Sequence, residues 1–227
     1  MFNWEKFLKK KDLFVGIDPS ASPRRASGIC MMNSNLGILN IGKWYEFSDL
    51  DKIISPYKDQ IRFIAIDGPL QPPHELDWCC FSSRSPACSH HQTTSYKGRY
   101  CEFLLIKKGF RCFVTSKNSF AKDWMLHCFQ LNSFLGEIGY RTLEVFPTAT
   151  RKILFPALKG KKQLKPYREK LQHDLIEWGI QFPDTSVIYS DDELDAVLAS
   201  LTALLHYRRK TIPIGNSADS FIFIPDI

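Results

Sequence analysis

Short apolar runs ending in turn formers dominate the first part of the chain, and helical periodicity takes over in the second. Leu13–Asp18 (LFVGID) is apolar and has the length of a buried strand. Gly28–Met32 and Leu36–Phe47 read as two more strands, joined by the turn Asn33-Ser34-Asn35. Ser48 with Asp51 resembles a helix start, and a short helix to about Asp59 follows. Arg62–Asp67 (RFIAID) is another buried strand, broken by Gly68-Pro69. A helix stopped by Gly109 fits Gly98–Lys108. Phe110–Val114 is a strand candidate, Ser119–Ile138 a helix, and Arg141–Phe146 a strand stopped by Pro147.

Pro166–Trp178 reads as a helix, with proline at its first position and Gly179 after it. The strongest helix is Ser190–Tyr207. Ser190 and Glu193 form its capping box, and Leu194, Val197, Leu198, Leu201 and Leu205 make an apolar stripe. Phe221–Ile224 is a short terminal strand. Strands first, then strands alternating with helices, predict an α/β protein with a mixed sheet. Leu70–Lys97 is polar, irregular and rich in cysteine, and reads as a long inserted loop. The expectation is one domain over residues 1–227, with that insertion at about 70–97.

Four acids stand out against this pattern. Asp18 and Asp67 each close an apolar strand and precede Pro or Gly-Pro. If those strands are parallel neighbours, both carboxylates leave the same sheet edge, where open α/β sheets bind ligands. Close carboxylates repel each other, and a hard cation such as Mg²⁺ or Mn²⁺ removes the conflict. Taken singly, each Asp is as well explained as a turn residue. On the last helix, Asp192 and Asp195 are three residues apart and share a face. The helix dipole accounts for acids in the first turn, but less well for Asp195. The sequence therefore points to Asp18, Asp67, Asp195 and, second to it, Asp192 as catalytic and metal-ligating residues.

With these residues assembled, the chain resembles the family called domain of unknown function 429. The matching pieces are VGIDPS, AIDGPL, RYCEFLLIKKGF, EVFPTATRKIL, DDELDAVLASLTAL and IGNSADSFIFIP, in that order. The resemblance implies a ribonuclease H-like fold. Its five-stranded sheet would run in the order 3-2-1-4-5 and be flanked by helices, with the first three strands antiparallel. It also implies a nuclease whose acids come from the first strand, the fourth strand and the last helix. One departure is Asp67, since the resolvase branch of that fold often carries Glu there. The implied reaction is hydrolysis of nucleic-acid phosphodiesters at a two-metal site, with Asp18 as the bridging ligand.

Charge and composition permit this reading without requiring it. Thirty Lys and Arg against 24 Asp and Glu give a net charge of +6, a mild bias towards polyanions. Arg24 and Arg25 follow the first strand and are the candidate phosphate contacts, with Arg99. For Arg99 and Glu102 a salt bridge or helix cap is the plainer reading. The Arg151, Lys152, Lys159, Lys161 and Lys162 cluster reads first as solvated surface. Seven cysteines, no apolar leader and no run long enough to span a membrane fit a reduced, cytoplasmic protein. Within CCFSSRSPACSHHQ, free cysteines in a loop are preferred to a structural Zn²⁺ on Cys79, Cys88 and His90, because adjacent cysteines rarely chelate one ion together. Two other functions compete: a non-catalytic nucleic-acid-binding module, and a phosphotransferase related to the actin-like and sugar-kinase superfamily. The chain has 12 glycines and no Gly-rich phosphate loop, which disfavours the latter.

Overall fold

The structure is a computed structural model that describes residues 12–20, 25–82 and 88–227. Its centre is a seven-stranded mixed sheet. The strands are β1 (Leu13–Asp18), β2 (Ser27–Asn33), β3 (Ile38–Trp44), β4 (Ile61–Asp67), β5 (Thr142–Val145), β6 (Thr211–Asn216) and β7 (Ser220–Pro225). They run in the order β3-β2-β1-β4-β5-β7-β6. β1, β2 and β3 are antiparallel neighbours, and β4 lies parallel to β1, with Ile17 opposite Ile66. Asp18 and Asp67 therefore leave the sheet at the same edge.

The expected five strands are corrected to seven. The order 3-2-1-4-5 is present, but a β6–β7 hairpin extends it beyond β5. Phe110–Val114 forms no strand, because the free edge of β5 is taken by β7. β6 carries Pro213, which a strand tolerates at a sheet edge, and β6 is the edge.

Among the described residues, six α-helices accompany the sheet: α1 (Phe47–Ile54), α2 (Tyr100–Lys107), α3 (Lys122–Glu137), α4 (Pro147–Leu154), α5 (Lys165–Glu177) and α6 (Asp191–Tyr207). The proline that ends β5 also starts α4, where its missing N–H costs nothing. The period-2 alternation of β1 sorts its side chains onto two cores. Leu13, Val15 and Ile17 pack with Leu50 and Ile54 of α1 and Leu131 and Leu135 of α3. Phe14 faces the other way, into the α6 core. β4 alternates likewise, with Ile64 and Ile66 on the α1–α3 side and Ala65 on the α6 side. By that parity Asp18 and Asp67 both turn towards α6.

α6 is buried continuously from Leu194 to Leu205, so its apolar stripe is only part of what it hides. It lies almost in backbone contact with the sheet. A Cβ added to Gly16 would stand 2.0 Å from the Ala196 carbonyl oxygen, and one on Gly28 2.3 Å from that of Asp192. Ser200 Oγ donates to the Phe14 carbonyl at 2.8 Å. Among the described residues, no helix is long and apolar enough to cross a membrane.

Candidate metal centre and the cleft around it

Three elements deliver one carboxylate each. Asp18 comes from the end of β1, Asp67 from the end of β4, and Asp195 from the second turn of α6. Oxygen atoms of the three lie within 4.8 Å of one another. Asp192 stands one turn before Asp195, and with Asp18 and Asp67 lines a cleft of about 590 Å³. The close approach of α6 at Gly16 and Gly28 carries its first two turns to the end of β1.

Electrostatics at the floor of this cleft are unfavourable for three anions. Burial, then the charges of Asp67 and Asp195, push the Asp18 carboxyl well above the usual range, with Lys162 pulling the other way. Asp67 is pushed up to about 8 by burial and then by Asp195. Asp192 is also raised, by burial and then by Asp191. Lys162 Nζ donates to Asp195 Oδ2 at 2.6 Å. Burial works against the ammonium, but Asp195, Asp18 and Asp67 outweigh it and raise its pKa. The site thus already draws in a cation from the protein's own chain.

Several sequence-derived roles change here. Arg99, a candidate phosphate contact whose plainer reading is a salt bridge, borders the cleft and makes that salt bridge. It is 1% exposed. Its five N–H donors are spent on Glu102, Glu144 and Ser220, with Nε to Glu102 Oε1 at 3.0 Å and Nη1 to Glu144 Oε2 at 2.6 Å. Glu102 also closes the capping box of α2 and accepts from the Thr115 N–H. This buried knot ties α2 to β5, with Glu144 also taking the Leu70 N–H at 3.1 Å. Arg25 is exposed and stands at the cleft lip. Arg24 lies outside the described residues.

The basic cluster divides. Arg151 stacks its guanidinium over Tyr167, and Lys152 lies over Phe110. Lys159 and Lys161 line a separate cleft between α4 and α5. Lys162 alone enters the acidic site, and nothing in a run of lysines distinguishes it beforehand. The sequence reading also missed Arg111, which sits inside the supposed strand and lines the main cleft. Phe113 and Phe120 form an edge-to-face pair on the same wall, and Phe113 packs the same way on Trp124. Phe113 is 58% exposed and Phe120 90%. Trp124 is held by its Nε1–H, which donates to the Pro19 carbonyl at 2.9 Å.

At the far side of α3, Cys79, Cys80, Cys88 and His90 also converge, within 4.8 Å of one another. The sequence reading sets adjacent cysteines against a shared ion, yet both sulfurs join this cluster. Both sit in a 3₁₀ turn, Trp78–Phe81, that aims each sulfur towards Cys88.

No family model matches this chain, and no curated protein does. Among solved structures it is similar to that of RuvC from Thermus thermophilus, at 10% identity and a TM-score of 0.42. The match covers 87% of this chain and 96% of that one. At that identity and score the likeness carries no weight for the chemistry, which rests on this chain's own residues.

Proposed function

We propose that the chain hydrolyses phosphodiester bonds of nucleic acid, using Mg²⁺ or Mn²⁺ held by Asp18, Asp67 and Asp195, with Asp192 as an outer ligand. The observation that carries this reading is the meeting of three carboxylates, from three separate elements, within 4.8 Å of one another, two of them lining an open cleft. An all-oxygen donor set suits a hard divalent cation. The ammonium of Lys162, drawn in among the acids, supports the need for positive charge there. When bound, such ions supply an activated water and stabilise charge on the phosphoryl oxygens.

The residues divide the remaining work. Asp18 feels Asp67, Asp195 and Asp192 together, which suits the shared, central ligand. Asp67 and Asp195 flank it from the sheet and the helix. Lys162 is placed to neutralise whichever of Asp195 and the scissile phosphate carries excess charge. Arg25 and Arg111 offer fixed cations for flanking phosphates. Phe113, Phe120 and Trp124 offer flat apolar faces to unstacked bases, which favours single-stranded or distorted nucleic acid over a small nucleotide.

The test is cleavage of a panel of labelled single-stranded, duplex and branched DNA and RNA with Mn²⁺, with and without chelator. Wild type should cut, and Asp18→Asn should lose at least about 10³-fold while staying folded. Unchanged cutting by Asp18→Asn would sink the assignment.

A further inference from the structure

We propose that Cys79, Cys80, Cys88 and His90 hold a structural Zn²⁺ that staples the apex of the 70–98 loop onto α3. This inference is independent of the nuclease reading.

Four side chains meet with the right donors and spacing. Sulfur-to-sulfur distances are 3.4 Å for Cys79–Cys88 and 2.8 Å for Cys80–Cys88. His90 Nδ1 stands 3.1 Å from Cys88 Sγ and 3.9 Å from Cys79 Sγ. A tetrahedral Zn²⁺ at ~2.3 Å from sulfur and ~2.1 Å from nitrogen separates its ligands by ~3.6–3.8 Å. The observed pairs straddle that value, so an ion enters after sulfur movements of about 1 Å. Three soft thiolates and an imidazole select zinc over Mg²⁺ or Ca²⁺, and four protein ligands close the shell, as in structural sites. The cysteines are not disulfide-bonded.

The location explains what the ion does. The ends of the loop are already tied down. Asp219 accepts from the N–H groups of His74, at 2.8 Å, and Tyr100, at 3.0 Å. Glu75 accepts from the Thr93 N–H at 2.6 Å. The apex between them has little apolar anchorage, since among its described residues only Leu76, Cys80 and Phe81 are buried, against Met125 and Phe129 of α3. A loop of this length cannot supply its own core, and a metal is the usual remedy. The staple also reaches the cleft, because Lys117 Nζ donates to the His90 carbonyl at 2.6 Å, three residues before the exposed Phe120.

The test measures metal content of the full chain, purified with reductant and without chelator from zinc-supplemented medium. About one zinc per chain is expected by elemental analysis. Asp18→Asn should leave that content unchanged, which separates this site from the carboxylates. Cys88→Ser and His90→Ala should each reduce it at least about five-fold. Should those variants fail to fold, wild type loaded with Co²⁺ still reports, because a tetrahedral thiolate site gives intense d–d bands and a thiolate charge-transfer band. Two results would overturn the proposal. One is a fully reduced chain that takes up neither Zn²⁺ nor Co²⁺. The other is zinc that is lost with Asp18→Asn and retained with Cys88→Ser.

Discussion

Replacing Asp67 by Asn should stabilise the metal-free protein, and only at high pH. In the folded chain this carboxyl is raised from its ordinary 3.8 to about 8, by burial first, then by Asp195 and, more weakly, by Glu144. A raised acid binds its proton more tightly in the folded than in the unfolded state. Its penalty is therefore absent below pH ~4, grows between pH ~4 and 8, and is complete above that. At ~1.36 kcal/mol per tenfold change, the upper bound is about 6 kcal/mol. Asp67 is only partly shielded from solvent at the cleft floor, and water there screens the charge, so ~2–3 kcal/mol is expected. Urea unfolding in the presence of chelator, at pH 5 and pH 9, measures it. The variant should exceed wild type by less than about 1 kcal/mol at pH 5 and by ~2–3 kcal/mol at pH 9, or on the order of 5–10 °C in Tm. Adding Mn²⁺ should stabilise wild type more at pH 9 than at pH 5 and do much less for the variant. Equal stability of the two proteins at pH 9 would refute the claim that the acids repel one another in the absence of metal.

Three further outcomes follow from particular contacts. Arg99→Ala leaves the buried Glu102 and Glu144 without their counter-charge and should cost ~3–5 kcal/mol by chemical denaturation. Phe120→Ala should leave folding stability within about 0.5 kcal/mol, because the ring is 90% exposed. The same variant should weaken binding of a fluorescent single-stranded oligonucleotide by about 5- to 100-fold, the range of one lost stacking contact. Gly16→Ala puts a methyl against a backbone carbonyl that cannot swing away, so it should cost ~3 kcal/mol or more in thermal unfolding.

Much of this architecture is written locally. The apolar runs ending in Asp18 and Asp67 identify their strands, because a short buried run bounded by Pro or Gly has few other uses. The capping box at Ser190 and Glu193 marks the start of α6 to within a residue. What was not legible mostly depends on a partner or a geometry that the local pattern does not name. Pro213 obscures β6 until its edge position is known. Pro147 looks like a stop for β5 and is also the first residue of α4. Lys162 is indistinguishable from its neighbours until α6 places Asp195 beside it. The salt bridge expected of Arg99 and Glu102 is present, but its second acid, Glu144, lies 45 residues away and is not legible beforehand. Cys79 and Cys80 look incompatible until the 3₁₀ turn brings both sulfurs to bear on Cys88.

The close seating of α6 on β1 has a consequence for how the protein is made. Phe14 and Ser200 are 186 residues apart in the chain, yet they share a hydrogen bond. At a ribosomal pace of about 5–20 residues per second, the first strand waits roughly 10–40 s for its cover. Over that interval Phe14 and Cys30 have no helix above them, and the nascent chain presents a sticky half-sheet to its surroundings. Such distant pairings also make for slow folding. The same delay is a safeguard. A translation product interrupted before residue 195 has neither the covered sheet nor the third carboxylate, so the proposed cutting activity is withheld until the cover is in place.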